Sequence, residues 1–318
     1  NMSKVFFDEL GLPEPDLNLG VGSGTHARQT ADIMTAFEAY LLDERPDWVL
    51  VYGDVNSTVA AALVCTKLHI PVAHVEAGLR SGDRRMPEEV NRVVTDSIAN
   101  LLLTPSPDAD ANLAREGVPA SRIRFIGNVM IDTLKRLKPA ADERWPALAQ
   151  SHALEAGNYM LITLHRPSNV DDPEHLAALM QTLAELSEHV PALFPVHPRT
   201  RARLSTLDLD LPASLMLTDP VGYLDFLALQ SNATLVVTDS GGLQEETTVL
   251  GVPCLTLRES TERPITITEG TNVLIGRDLG RLRQEAHGVL AGTAKTGTVP
   301  AKWDGQAGER IAEVFASL

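Results

Sequence analysis

Cysteine is nearly absent from this 318-residue chain. Cys65 and Cys254 both lie in apolar surroundings without metal-ligand spacing, which favours buried thiols in a reducing compartment over a disulfide. Neither reads as catalytic. Long apolar runs are missing too. None approaches the roughly 18 residues of a membrane span, and no charged-then-apolar leader opens the sequence, so a cytoplasmic protein is expected. Positive charge is scarce: 27 Lys and Arg against 42 Asp and Glu give a net charge of −15. That balance disfavours non-specific binding of nucleic acid or anionic membranes, while a local basic pocket can still capture an anionic small molecule. What is present is a 44% hydrophobic fraction. In a chain longer than one core usually holds, this predicts two buried cores and hence two domains.

Short β-rich runs alternate with longer amphipathic stretches: Trp48 to Tyr52, Asn56 to His69, then Pro71 to Val75. The alternation predicts parallel sheet covered by helices. Further strands are predicted at Leu101 to Thr104, Ile123 to Ile126, Met160 to Thr163, Ala192 to Val196, Ser214 to Leu217, Leu235 to Val237, Pro253 to Leu255 and Asn272 to Ile275. One sheet of so many strands is not expected. The segment Leu134 to Gly157, rich in Pro, Ala and charge, precedes a fresh strand, which places the domain change near Gly127. The final stretch carries Ile311, Val314, Phe315 and Leu318 at helical spacing and needs a surface to cover.

The most informative segment is Thr238-Asp239-Ser240-Gly241-Gly242-Leu243-Gln244-Glu245-Glu246, which follows an apolar run and reads as strand, glycine turn and helix start. Two glycines let the backbone approach an anion, and the first helical N–H groups are unpaired at the positive end of the dipole, so a diphosphate would fit. The plainer alternative makes Ser240 an N-cap and Glu245 and Glu246 dipole partners. Other polar clusters also fall at predicted strand ends, where open α/β sheets bind ligands. Asp54 follows Gly53 and could cap the next helix. Glu76 could pair with Arg80 as easily as act as acid or base, and Glu88 and Glu89 follow Pro87 where acidic residues suit a helix start. His165 and Arg166 are more suggestive, since His exchanges protons near neutral pH and Arg neutralises phosphate. His197 with Arg199, and Arg258 to Pro264, pair cations with strand ends in the same way.

Taken in order and spacing, these residues resemble the UDP-N-acetylglucosamine 2-epimerases. The likeness runs through Gly53-Asp54, His74 to Arg80, Pro87-Glu88-Glu89 with Asn91-Arg92, Gly127-Asn128, His165-Arg166, Pro195-Val196-His197, Asp239 to Gly242 with Gln244-Glu245-Glu246, Thr261 to Pro264, and Asp304 to Ala307. It implies an α/β GT-B architecture, two Rossmann-like doubly wound domains facing an interdomain cleft. The domains would be 1–127 completed by the helix 304–318, and 128–303.

The resemblance also implies a reaction. A base removes the sugar's C2 proton, UDP leaves from C1, and UDP adds back after reprotonation on the other face. On the matching positions Asp54, Glu76, Glu88 and His165 are the catalytic residues, with Asp54 and Glu88 exchanging protons, Glu76 tuning them and His165 assisting departure of UDP. Ser240, Gly241 and Gly242 would hold phosphate, Glu246 the ribose hydroxyls, and His197, Arg263, Arg80 and Arg166 the remaining substrate contacts. UDP-N-acetylglucosamine is the implied small-molecule partner, with a homodimer, no cofactor, no metal and a place in surface-glycan precursor synthesis. Some relatives take a second UDP-N-acetylglucosamine as activator, but Ser168 after Pro167 replaces the carboxylate many of them carry there. The family's opening β-α-β unit, about 30 residues or more, has no counterpart before Asn1, and a chain truly lacking it is expected to fold poorly. A hydrolysing epimerase releasing N-acetylmannosamine, a GT-B glycosyltransferase and a non-catalytic nucleotide-sugar sensor are the alternatives, and three clustered carboxylates favour proton chemistry.

Overall fold

Alternation along a strand decides which face each side chain meets, and in Pro13–Asp132 with Ala301–Leu318, one of two compact units, it sorts two apolar sets. The computed structural model describes residues 10, 11 and 13–318. In this unit α1 (His26–Asp43), β1 (Val49–Tyr52), α2 (Asn56–Lys67), β2 (Val72–Val75), α3 (Pro87–Ile98), β3 (Leu101–Thr104), α4 (Pro107–Arg115) and β4 (Ile123–Phe125) alternate. The strands form a parallel sheet in the order β1-β2-β3-β4. Val51, Val72 and Leu102 pack on one side with Leu41, Ala62, Val64, Cys65 and Leu113 of the helices.

The second unit is built on Thr133–Pro300. It contains α5 (Val129–His152), in which the division falls, then β5 (Met160–Thr163), α6 (Pro167–Val170), α7 (Pro173–Ser187), β6 (Ala192–Pro195), α8 (Pro198–Leu204), β7 (Leu215–Thr218), α9 (Tyr223–Asn232), β8 (Leu235–Thr238), α10 (Gly241–Leu250), β9 (Cys254–Thr256), α11 (Ile265–Thr268), β10 (Asn272–Leu274) and α12 (Leu279–Leu290). The stretch following Gly127 is thus one long helix despite Pro139 and Pro146. Each proline removes a helical hydrogen bond, but Leu134, Leu137 and Ala141 are buried against Leu224, Leu227 and Ala228, and packing overrides propensity. The six strands are parallel in the order β7-β6-β5-β8-β9-β10. Winding therefore reverses between β5 and β8, whose last residues, Thr163 and Thr238, stand side by side. Crevices at the carboxyl ends of such a switch point are where doubly wound sheets bind ligands.

The final helix, α13 (Ala307–Ala316), rejoins the first unit. Ala307 and Ile311 cover the other side of that sheet, against Ala73, Val75, Leu101 and Leu103, with Val314 and Phe315 beside them. Phe315 meets Trp48 edge to face at 5.4 Å. Asp132 caps α13, accepting from the N–H groups of Ala307 (3.1 Å) and Gly308 (2.7 Å). Leu318 does not share this face, contrary to its helical spacing: it lies past the helix end and is exposed. All ten predicted strands are present, with no end shifted by more than one residue. Among the described residues no helix is long and apolar enough to cross a membrane.

Candidate active site

In the first unit the candidates gather where β1 and β2 end. Gly53 leaves β1 with φ +64°, a left-handed turn that a residue without Cβ takes freely, and a side chain there would come within 3.5 Å of Glu76 Oε2. Glu76 itself has φ +70°. That conformation costs a non-glycine residue roughly 1 kcal/mol, and such strain gathers at functional sites. Asp54 does not cap α2, whose N-cap is Val55 with no side-chain bond. Its carboxylate pairs instead with Arg92, whose other terminal nitrogen holds Glu89. Arg92 and Glu89 are buried, whereas Asp54 keeps 29% of its side chain exposed and stays within reach of a ligand. Glu88 follows Pro87 in the first turn of α3. Helix spacing puts it on the same face as Asn91 and Arg92, and Asn91 donates to the Asp54 carbonyl at 2.9 Å.

Beneath this turn runs a buried polar strut. His74, fully enclosed, lies with Nδ1 2.6 Å from Asp96 Oδ1 and Nε2 2.7 Å from the Gly53 carbonyl. Asp96 also accepts from the Gly78 N–H (3.0 Å) and Arg80 (2.7 Å). Burial pushes the Asp96 carboxyl up, but His74 and then Arg80 outweigh it and hold the group below its ordinary range. Arg80, a candidate for substrate contact, closes the strut with two bonds to Glu116 at 2.8 and 2.7 Å. Its guanidinium is committed to supporting the turn.

In the second unit the candidates gather at the switch point, where β5 and β8 end side by side. Asp239, directly after β8, is fully buried, and its carboxylate accepts from the backbone N–H groups of His165 (3.0 Å) and Arg166 (2.9 Å) and from Asn169 Nδ2 (3.0 Å). His165 Nδ1 lies 3.0 Å from its Oδ1. The loop after β5 is thereby tied to the turn after β8. His197, at the end of β6, accepts from the Arg199 N–H through Nδ1 at 3.2 Å, leaving Nε2 as its donor, and its ring lies 6.1 Å from that of His165. Ser240 occupies the N-cap position of α10 yet its hydroxyl makes no capping bond. It is free for a ligand beside the first N–H groups of the helix, the arrangement anticipated for phosphate.

Gly241 is required for close approach: a Cβ there would meet Glu262 Oε1 at 2.7 Å and Arg263 Nη1 at 2.8 Å. Gly242 faces open space. Burial pushes Glu262 up, but Arg263 and then Arg258 hold its pKa at about 2. Arg263 Nε also lies 3.0 Å from Glu245 Oε2, so Glu245 serves as a counter-ion rather than a dipole partner. Glu246 is nearly sealed from solvent. Tyr223 donates to its Oε1 at 3.0 Å, and the Gln230 amide, turned to satisfy both its ends, donates to Oε2 at 2.8 Å. Burial outweighs these bonds and raises its pKa to about 7. Arg166 Nε is buried without a hydrogen-bond partner among the described residues, leaving a cationic donor available at the end of β5.

Asp239, Arg92, Glu89, Tyr223 and Gln230 were not marked as functional by sequence reasoning. Asp239 does lie inside the strand, glycine turn and helix segment singled out from the sequence, and Glu89 and Arg92 are an acid and base three apart on a helix; no local signal marks Tyr223 or Gln230. The strand order and the glycine turn at its reversal define the α/β class whose parallel sheets bind nucleotides. Within that class, the family model described as UDP-N-acetylglucosamine 2-epimerase matches residues 1–316, and the chain belongs to that family. It is 44% identical over 323 residues to a UDP-N-acetylglucosamine 2-epimerase of Methanocaldococcus jannaschii, covering 99% of this chain and 87% of the relative. It is 41% identical to a UDP-2,3-diacetamido-2,3-dideoxy-D-glucuronate 2-epimerase of Pseudomonas aeruginosa, covering all of this chain and 88% of that one. The crystal structure of the M. jannaschii enzyme in complex with UDP-GlcNAc and UDP superposes with a TM-score of 0.87 at 42% identity, over 99% of this chain and 88% of that one. The Neisseria meningitidis enzyme bound to UDP-GlcNAc gives 0.90 at 27% identity, over 100% and 89%.

Proposed function

We propose that this protein interconverts UDP-N-acetylglucosamine and UDP-N-acetylmannosamine without net hydrolysis. The observation that carries the reading is the second unit's switch point, where His165, the free Ser240 hydroxyl and the start of α10 offer a nucleoside diphosphate its donors. Elimination breaks the C2–H bond and the C1–O bond together, and the electron pair from carbon becomes the C1–C2 double bond while UDP departs. Donors aimed at the diphosphate stabilise the charge it gains. Re-addition reverses these steps after a proton reaches C2 from the opposite face, so two proton carriers are needed. Asp54 and Glu88 take those parts, and the strained Glu76 tunes them. His165 meets the leaving diphosphate, with Ser240, Gly241 and Gly242 around it and Arg166, His197 and Arg263 supplying further cationic or N–H donors. Glu246 accepts from the ribose hydroxyls. As the resemblance implies, the enzyme works in the cytoplasm as a homodimer and feeds surface-polysaccharide synthesis.

The identity to the Pseudomonas enzyme favours one second reading, a diacetamido-uronate as the sugar. Proton NMR of UDP-N-acetylglucosamine with the protein in heavy water separates them. Deuterium at C2 with UDP-N-acetylmannosamine accumulating supports the proposal, and Asp54→Asn should then slow exchange at least about a hundredfold while UDP still binds. Free N-acetylmannosamine as the first product would mean hydrolysis, and no exchange at C2 would remove this substrate.

A further inference from the structure

We propose that Asp239 is a positioning residue: it fixes the proton of His165 on Nδ1 and turns Nε2 towards the diphosphate, locking the proton-bearing loop and the phosphate turn into one rigid piece. The inference rests on the reading of His165 as the group that meets departing UDP. Its ground is hydrogen-bond accounting. Four donor groups converge on Asp239, namely the N–H groups of His165 and Arg166, the Asn169 amide and the His165 ring. An ionised carboxylate only accepts. Burial pushes this carboxyl up, but the hydrogen bond from His165 and its charge, then Asn169 and the Arg166 N–H, hold it below its ordinary range. A bare Nδ1 lone pair 3.0 Å from that buried oxygen would face negative charge with no solvent to screen it, so Nδ1 carries hydrogen.

Nε2 is then the nitrogen that exchanges protons. It belongs to a side chain that is 41% exposed, while its partner is wholly enclosed. A base oriented by a third, buried group is the recurrent arrangement of activated sites. Asp239 adds a second constraint, because it immediately precedes Ser240 and Gly241. A single side chain thus fixes both the phosphate turn and the His165 ring. When His165 takes up a second proton, the imidazolium remains paired to the carboxylate. It can pass the Nε2 proton to the diphosphate oxygen as the C1–O bond breaks, and recover it on re-addition.

Asp239→Asn keeps the shape but reverses the demand. The amide oxygen best serves the three donors around Oδ2, so the amide nitrogen faces the ring and favours a bare Nδ1 with the proton on Nε2. Histidine labelled with nitrogen-15 in the full chain reads this directly, the His165 signal being assigned by its loss in His165→Asn. Wild-type protein should show a proton-bearing Nδ1, and Asp239→Asn should move that proton to Nε2. In the C2-exchange assay Asp239→Asn should lower kcat by about 10²-fold or more with KM within a few-fold. In a His165→Asn background the same change should cost less than about threefold, since residues acting as a unit are non-additive.

A bare Nδ1 in the wild-type protein overturns the proposal, and this needs no variant that folds. Equal losses in both backgrounds overturn it as well, because Asp239 would then act on the fold rather than through His165. Wild-type protein inactive on UDP-N-acetylglucosamine counts against the proposed function, and the ring-nitrogen spectrum still decides whether Asp239 sets the tautomer.

Discussion

Replacing Glu246 by Gln should make the protein more stable in mild alkali and worse at holding UDP. Glu246 is almost wholly buried, and its pKa is raised to about 7 from an ordinary 4.5. A carboxyl whose folded pKa lies above its unfolded value stabilises the fold while protonated. That contribution is complete below about pH 4.5 and is lost as pH rises through 7. Above pH 7 the buried charge costs about 3 kcal/mol, at roughly 1.4 kcal/mol per pKa unit. Glu246→Gln abolishes the titration while the new amide can still accept from Tyr223 and donate to the oxygen of Gln230. Urea unfolding followed by circular dichroism at pH 5 and pH 8 would measure the effect. The stability difference between variant and wild type should move in the variant's favour by about 2 to 3 kcal/mol from pH 5 to pH 8. UDP affinity should fall about tenfold, as for loss of a charged acceptor. A stability difference that is the same at both pH values would refute the assignment of a protonated, buried Glu246.

Three further outcomes are expected. Arg92→Met takes the cation from buried Glu89, which keeps the donors of Ser81 and Gly82, and should cost about 3 kcal/mol in urea unfolding; a loss below about 1 kcal/mol would mean that the Asp54–Arg92–Glu89 array contributes little to the fold. Gly241→Ala drives a methyl group into Glu262 and Arg263 and should cost about 1–3 kcal/mol, whereas Gly242→Ala, facing open space, should be neutral in unfolding; equal effects would contradict the described packing. Phe315→Ala removes the ring that meets Trp48 and should destabilise the Pro13–Asp132 unit by about 2 kcal/mol or more, seen as a shift of that unit's own transition; no shift would mean that α13 does not close the sheet.

The strands were legible because buried parallel strands read as short apolar runs bounded by turn residues. The glycine turn was legible for a related reason, since it occupies consecutive positions directly after β8. Partnerships between distant residues were not. Local reasoning favoured Asp54 as an N-cap, yet its partner Arg92 lies 38 positions further on. Glu245 and Glu246 likewise suit a helix start by position, and only tertiary packing sets the one on Arg263 and the other on Tyr223. Pro139 and Pro146 oppose a helix locally, and burial of α5 against α9 outweighs them.

The return of α13 bears on the order in which the protein can be made. Domains generally fold as units while the ribosome synthesises the chain at about 5–20 residues per second. The second unit is contiguous apart from the residues near the N-terminus and can close as soon as it emerges. The unit holding Asp54 and Glu88 cannot, because Ala307, Ile311 and Phe315 have yet to be translated when its four strands are already out. For roughly ten to thirty seconds at that rate, Ala73, Val75, Leu101 and Leu103 lack their cover. Nascent chain in that interval is the state most exposed to aggregation and to chaperone capture, and weakening the last helix should reduce soluble yield even where activity per folded molecule is intact.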